Sequence, residues 1–449
     1  MKQLILLAVI LLTMSSAEAK KPNVLVFFVD DMGYGELGCY NSKTDLKTPN
    51  IDKLAKNGVL CTDGYVTAPQ CSPSRAGIMT GYCQERFGHE ANPTQKDRNT
   101  FGIERSIRSI GDYMRSAGYK TGYVGKWDLG RMYEDNPEQR GFDFYYGAVI
   151  GCRHYTPINQ GPLFVRVTRG HSNLVHEDYY YTHQLTVGAQ EFIQKNKKDP
   201  FFLFLAYSAP HSPYEATKES IDRNKQIDND QRRIYGGMIT MLDDDIGKIM
   251  KQLQENGIAD NTLVFFISDN GAPHKGPALG NNLPLRGDKG DLFEGGIRIP
   301  YIVQWKNGNL PAGSKYKNPV SSLDLLPTIL AVSGSDIPSS LPGANLIPYL
   351  KGEKKEKPTD VLCWRWMGQR AVRAGDWKWV SHPRKKVLGL FNLSDDKEEN
   401  NNLIDKNPAK AAELESIWKS WNKKNTMPKW RSEQELEKMS KEYGNEGMN

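Results

Sequence analysis

Five short runs of the chain are almost wholly apolar and rich in Val, Phe and Tyr: NVLVFFVDD (23–31), TGYVGKWD (121–128), FFLFLAYSAPH (201–211), TLVFFISDNG (262–271) and PYIVQW (300–305). Continuous runs of this length predict strands buried on both faces. Between them the apolar positions change to a helical spacing. TPNIDKLAKNG offers Thr48 as a cap, Pro49 in the first turn, apolar Ile51, Leu54 and Ala55, and Gly58 as the stop. SIRSIGDYMRSAGY (106–119) and YGGMITMLDDDIGKIMKQLQENG (235–257) follow the same grammar. Strands alternating with helices predict an α/β fold with a mostly parallel sheet covered on both faces.

Turn residues cluster in GSDIPSSLPGAN (334–345), and this stretch is the expected boundary between a large domain, 20–335, and a smaller one, 336–449. Beyond it VLCWRW, AVRAGDWKWV and GLFNLS read as short antiparallel strands. A helix is expected from about Pro408 to Asn422, and the polar tail after Pro428 is expected to be partly loose.

The predicted strands end in chemistry. The first stops at Asp30-Asp31, the second at Lys126 and Asp128, the third at His211 and the fourth at Asp269-Asn270. Parallel strands present their carboxyl ends along one edge, where ligands of such sheets bind. Any one of these endings could be an ordinary turn; four together point to a site. The oxygen donors Asp30, Asp31, Asp269 and Asn270 suit calcium or magnesium better than zinc. Three clustered carboxylates would repel each other without a cation.

The N-terminus changes the setting. Lys2, an apolar core from Leu4 to Leu12 and the small-residue site Ala17-Glu18-Ala19 form a secretory signal over residues 1–19, cleaved near Ala19. An uncleaved anchor is the minor alternative. No later run approaches the length of a membrane helix, so a periplasmic or secreted protein with no membrane span after cleavage is expected. The net charge of +6 fits a solvated surface with excess lysine. Without a basic run or recognition motif it gives no reason to expect nucleic acid. The six cysteines, Cys39, Cys61, Cys71, Cys83, Cys152 and Cys363, follow no zinc or disulfide-scaffold spacing. Most are expected to be buried small hydrophobes. Cys71 stands apart, at the start of a predicted helix with Arg75 one turn on. It could be core, a thiolate nucleophile, or a precursor.

Cys71-Ser72-Pro73-Ser74-Arg75, continued by Ala76-Gly77 and Thr80-Gly81, resembles the signature of the type I sulfatases. VDDMGYGELGCYN, TPNIDKLAKNGV, GYVGKWDLG, APHSPY, SDNG, LRGDKGDLFEGGIRIP and SLDLLPTIL resemble further segments of that family, in the same order. AVRAGDWKWV and LFNLSDDKEENNNL extend the likeness toward the C-terminus, so it covers nearly the whole chain after the signal. The resemblance implies an alkaline-phosphatase-like α/β sandwich with a smaller C-terminal antiparallel-sheet subdomain. It implies a sulfuric ester hydrolase using formylglycine, made from Cys71 by a maturation enzyme, and one calcium ion held by Asp30, Asp31, Asp269, Asn270 and the modified Cys71. One hydroxyl of the hydrated aldehyde would attack sulfur; the other would later expel sulfate as the aldehyde reforms. By the same carry-over Arg75 steadies the diol, Lys126 and Lys289 hold sulfate and bridging oxygens, and His211 is the general acid.

Three positions depart from the family pattern. Asp128 stands where histidine usually follows GKW; an aspartate can accept a proton there but cannot donate one when ionised. His183 replaces a usual aspartate and reads as first-turn surface behind a Thr182 cap. Asp288 before Lys289 either tunes that lysine or shapes the turn. TGYCQERFGHEANP (80–93) resembles a stretch of bacterial polysaccharide sulfatases, which implies a sulfated carbohydrate, with a 4-sulfated galactose-type hexose the first expectation and His154 a candidate sugar contact. The rival readings are a phosphodiesterase or phosphonate hydrolase on the same fold, and a catalytically impaired sugar-binding relative suggested by Asp128.

Overall fold

The computed structural model describes residues 20–92, 97, 99–157, 167–170, 173, 174, 180–274 and 280–443; the expected signal segment, 1–19, lies outside them. Strands β1 (Asn23–Val29), β2 (Val59–Tyr65), β3 (Lys120–Lys126), β4 (Phe144–Ala148), β5 (Thr168–Arg169), β6 (Asn173–Leu174), β7 (Phe201–Ala206), β8 (Thr262–Ser268), β9 (Arg298–Gln304), β10 (Ser314–Tyr316) and β11 (Val320–Ser321) build one sheet. Its order is β10-β2-β9-β8-β1-β7-β3-β4-β5-β6, with β11 also on β2. The centre, β8-β1-β7-β3-β4, is parallel. The PYIVQW run falls in β9, which turns antiparallel to both β8 and β2.

Each central strand is buried on both faces, as its unbroken apolar run requires. Along β1, Val24, Val26 and Phe28 enter one core while Leu25, Phe27 and Val29 enter the other. Helix Asp230–Glu255 covers the second face, beginning five residues before the apolar period because Asn229 caps it by accepting the Arg232 N–H. Helix Pro49–Lys56 starts after Thr48, but the Thr48 hydroxyl bonds the Asp52 carboxylate and the Gly38 N–H and caps no helical N–H.

A second sheet of four antiparallel strands follows: β12 (Val361–Trp366), β13 (Gln369–Ala374), β14 (Trp377–His382) and β15 (Val387–Asn392). One face packs Trp364, Trp366, Val380 and Phe391 against Tyr65, Phe293 and Ile297 of the large sheet's lobe. The other packs Trp379 and Leu390 against helix Pro408–Asn422.

Three expectations are corrected. Of the tail after Pro428, expected to be partly loose, the described residues include a helix, Glu433–Tyr443, because Met439 and Tyr443 bury against Trp379 and Trp418, and the Tyr443 hydroxyl accepts the Gly368 N–H at 2.9 Å; residues 444–449 lie outside the described residues. Thr182 is not a cap: the helix Tyr181–Asn196 has Tyr180 as its N-cap, and His183 lies in the first turn as expected, partly exposed, with its Nδ1 3.3 Å from Asp245 Oδ1. Of the cysteines only Cys61 and Cys71 are buried; Cys39, Cys83, Cys152 and Cys363 are partly exposed, and all six are unpaired.

Candidate active site

The parallel register aligns Val29 with Ser268, Phe28 with Ala206 and Gly125 with Ala206. The residues just past these strand ends therefore share one edge. Gly125 has φ 116°, and a Cβ there would lie 1.8 Å from the Ala206 carbonyl oxygen, so only glycine lets β3 lie this close to β7 before delivering Lys126. Asp31 adopts φ 65°, a conformation aspartate tolerates, and its N–H donates to Asp269 Oδ1 at 3.0 Å.

Cys71 is the first residue of helix Cys71–Thr80, every residue of which is buried. An amphipathic surface helix would not bury Ser72 and Arg75; these polar side chains are there for the partners they meet at the edge. Cys71 Sγ lies 3.2 Å from Asp30 Oδ1 and 3.2 Å from Lys289 Nζ, with Asp31 Oδ1 at 3.9 Å. Lys126 Nζ donates to Asp30 Oδ2 at 2.6 Å, and Lys289 Nζ lies 2.7 Å from Asp31 Oδ1. Arg75 donates to Asp269 Oδ2 at 2.9 Å and to the Lys126 carbonyl at 2.8 Å. His211 Nε2 stands 3.8 Å from Asp31 Oδ2, its Nδ1 fixed 2.6 Å from the Ser212 carbonyl. Lys289 arrives on the loop joining β8 to β9, pinned by its own N–H to the Ala272 carbonyl and by the Gly290 N–H to the Pro69 carbonyl.

The electrostatics follow from this packing. Burial pushes the Cys71 thiol well above its ordinary range and Asp30 adds to the rise, which argues against a resting thiolate. Burial would also raise Asp30, but Lys126 and His211 outweigh it and hold that carboxyl well below the usual range. Burial, with Asp30 nearby, pushes Asp269 up to about 7. Three carboxylates, Asp30, Asp31 and Asp269, thus meet three cations, Arg75, Lys126 and Lys289.

The donor set fits a hard cation. Ligand atoms of Asp30, Asp31, Cys71 and His211 lie within 4.8 Å of one another. Asn270 Nδ2 donates to Asp31 Oδ1 at 2.7 Å, while Asn270 Oδ1 is buried without any hydrogen-bond partner, an unmet oxygen that a cation would satisfy. Asp269 accepts the Asp31 N–H and an Arg75 N–H on its two oxygens, each of which, like the engaged oxygens of Asp30 and Asp31, keeps a lone pair for a cation.

The departures have places too. Asp128 is buried at φ 59°, its carboxylate 3.9 Å from Lys126 Nζ. At Asp288 the backbone N–H donates to Asp291 Oδ2 at 3.1 Å in the turn that leads to Lys289. His154, the candidate sugar contact, is partly exposed with its Nδ1 bound by Glu215, and neighbouring Tyr155 ties this segment to the His211 loop through the Ser208 and His211 carbonyls.

Sequence reasoning missed the support of the Cys71 turn. The Ser72 hydroxyl donates to the Asp128 carbonyl at 2.6 Å and meets His89 Nε2 at 2.9 Å, and Asn92 Oδ1 accepts the Ser72 N–H at 3.2 Å. Burial drives His89 down to about 3, so it is neutral. His89 and Asn92 belong to the GHEAN stretch read above only for sugar preference; its likeness to a family segment was the available signal.

A family model described as Sulfatase matches residues 22–335, and one described as N-sulphoglucosamine sulphohydrolase, C-terminal, matches 287–425. The chain is 34% identical to human N-acetylgalactosamine-6-sulfatase over 406 residues, 82% of this chain and 74% of the human protein. It is 27% identical to human steryl-sulfatase over 431 residues, 77% of this chain and 72% of that one. Among solved structures, Ps i-CgsB in complex with k-i-k-neocarrahexaose superposes with a TM-score of 0.86 at 33% identity, covering 94% of this chain and 97% of the other.

Proposed function

Because the chain belongs to the sulfatase family and is a sulfuric ester hydrolase, we propose that it is exported and removes sulfate from a sulfated carbohydrate, using formylglycine made from Cys71 and one calcium ion. The observation that carries this is the convergence on Cys71 Sγ of Asp30 Oδ1 and Lys289 Nζ, each at 3.2 Å. Support for a carbohydrate comes from the N-acetylgalactosamine-6-sulfatase and the neocarrahexaose complex, both above 30% identity. Support for export comes from the signal-like residues 1–19.

Asp30, Asp31, Asp269 and Asn270 would hold the ion together with the modified residue 71. Hydrated formylglycine at residue 71 supplies an oxygen nucleophile for sulfur, and calcium supplies positive charge beside it. The protein's own side chains do the rest. Lys126 and Lys289 each spend one donor on a carboxylate, leaving others for sulfate oxygens and the bridging oxygen. Arg75, one turn on from Cys71, ties the helix to Asp269 and to the end of β3, fixing residue 71 against the edge. His211 keeps Nδ1 on the Ser212 carbonyl, which leaves Nε2 as the nitrogen that gives a proton to the departing alcohol. Asp128 takes the proton at residue 71 when sulfate leaves.

The test is a peptide mass spectrum across residues 71–75 of active protein from the native host, read with turnover of Cys71→Ala. An aldehyde or its hydrate at residue 71 and no turnover in the variant are expected. Unmodified thiol in fully active protein sinks the proposal. Defined 4-sulfated and 6-sulfated galactose-type sugars, with phosphate esters and aryl sulfates as controls, fix the substrate. Position 4 is the expectation from the sequence, and the human relative's name points to position 6. Action on aryl or steroid sulfates alone would contradict a carbohydrate substrate. N-terminal sequencing of exported protein should begin at Lys20.

A further inference from the structure

A cleft of about 550 Å³ opens beside the cluster at Lys289 and Gln70 and runs onto the four-stranded sheet at Trp366, Arg384 and Lys385, with Arg431 at its far wall. Its size is that of a small-ligand site, roughly 300–1,000 Å³. It shares Lys289 with the cluster, so whatever lies in it is continuous with a group held at residue 71. Gln70, the residue before Cys71, forms part of its wall and is held by the Asn92 amide at 3.1 Å.

The charge of the cleft is one-sided. Lys289, Arg384, Lys385 and Arg431 line it, against the single carboxylate of Asp291. That carboxylate is already saturated: it bonds His382 Nε2 at 3.1 Å, Lys385 Nζ at 2.7 Å and the Asp288 N–H at 3.1 Å. Arg384 sits in the turn Pro383–Lys385 between β14 and β15, is exposed, and makes no hydrogen bond or ion pair among the described residues. Arg431 rests its guanidinium 5.5 Å from the Trp366 ring centre, donates to the Glu90 carbonyl and pairs with Glu435 at 3.8 Å, and keeps its Nε buried without a hydrogen-bond partner. Positive side chains gathered in a concave surface, with unspent donors, favour an anion from solution.

We propose that this cleft is a second anion subsite, which holds a sulfate ester or a carboxylate on the sugar residue adjoining the one whose sulfate is removed. This rests on the carbohydrate reading above and narrows it: the substrate is a chain with repeated negative charge, and the smaller sheet takes part in choosing it. The anionic group lies against Arg384 and Lys385, and the intervening sugar spans the Gln70–Lys289 wall.

The test measures binding and turnover separately. Binding is read by calorimetry on the Cys71→Ala protein with three tetrasaccharides of one galactan backbone. All carry one sulfate at the residue to be cleaved; the neighbouring residue carries a second sulfate, a carboxylate or nothing. The charged neighbours are expected to bind more tightly than the neutral one. Arg384→Ala, in the same background, should remove about tenfold of that advantage, the scale of one hydrogen bond to a charged group. Arg384→Glu should reverse it, and whichever anion loses more is the native one. In the otherwise unaltered enzyme, Arg384→Ala should leave turnover of a small aryl sulfate at its original rate and raise KM only for the charged tetrasaccharides. Equal binding of all three sugars, or an advantage that survives Arg384→Glu, overturns the subsite. Failure of the enzyme to hydrolyse any sulfate ester would instead strike the parent reading, and the calorimetry still decides the subsite.

Discussion

Asp128 is a buried acid in a left-handed backbone position, beside Lys126 and behind Gly151, where an added Cβ would lie 2.7 Å from Asp128 Oδ1. Burial pushes its carboxyl above the ordinary aspartate range, which makes it a stronger base than a solvated aspartate. Asp128→Asn keeps the shape and removes the base. It should give a rapid burst of released alcohol followed by slow steady turnover, and Asp128→His should recover part of the rate. Rapid-quench kinetics check this; steady turnover at the original rate with no burst removes Asp128 from the chemistry. The cation is testable at the same scale. Exhaustive chelation should abolish activity, calcium should restore it better than zinc, and Asp269→Ala should mimic the chelated enzyme by freeing Arg75 and loosening Asp31. Full activity in metal-free protein would end the calcium proposal.

At the level of elements, the Cys71–Thr80 helix is held more by side-chain ties than by a cap: Gln70 at its N-cap makes no capping bond. Ser72 links the helix start to Asp128 and to His89, which is wholly buried. Ser72→Ala should cost about 1–3 kcal/mol, the penalty for a buried polar group left without its partner. Urea unfolding measures this, and a change under 0.5 kcal/mol would show that water or rearrangement replaces the tie. These ties were the least legible part of the sequence. Strands β1, β3, β7 and β8 could be read from apolar runs because burial on both faces leaves no polar position to confuse the period. The acids, lysine and histidine at their ends were legible for the same reason, since a parallel sheet collects its strand ends on one edge. Ser72, His89 and Asn92 carry no such periodicity; their partners lie in other segments and only the folded chain brings them together. Thr182 misled because a threonine before a helical run looks like a cap, whereas buried Tyr181 begins the helix two residues sooner than that cap would.

Across the whole molecule the two sheets are joined by charge as well as by aromatic packing. Glu294, just before β9, is fully buried and bonds Lys378 of β14 at 2.8 Å and Arg298 at 3.2 Å; Lys378 also meets Glu399 at 3.0 Å. Lys378→Met would leave two buried carboxylates short of a cation and should cost about 3–5 kcal/mol, measurable by denaturant unfolding. Burial alone would raise Glu294, but Lys378, Arg298 and Arg373 prevail and hold it down to about 2. The folded protein therefore binds that proton more weakly than the unfolded chain. Its stabilisation is whole above about pH 4.5 and fades as pH falls toward about 2. The urea midpoint should drop across that window, and Glu294→Gln should flatten part of the drop. The smaller sheet was legible from its alternating strands, yet its docking was not, because Glu294, Lys378 and Glu399 are scattered along the sequence. The tail after Pro428 looked loose for a similar reason: Met439 and Tyr443 are sparse among charges and find their partners only on β14 and helix Pro408–Asn422.

The cage around residue 71 also sets a clock. Cys71 Sγ is enclosed by Asp30 from before it and by Lys289 from 218 residues after it. If Cys71 is the formylglycine precursor proposed above, the thiol would stay open during synthesis until that lysine has emerged and would close once β8 and β9 dock. An enzyme that oxidises it would have to work within that interval, so maturation would race folding. Slower folding, by lower temperature or by a chaperone that delays docking of β9, should raise the active fraction of a preparation without changing the activity of each active molecule.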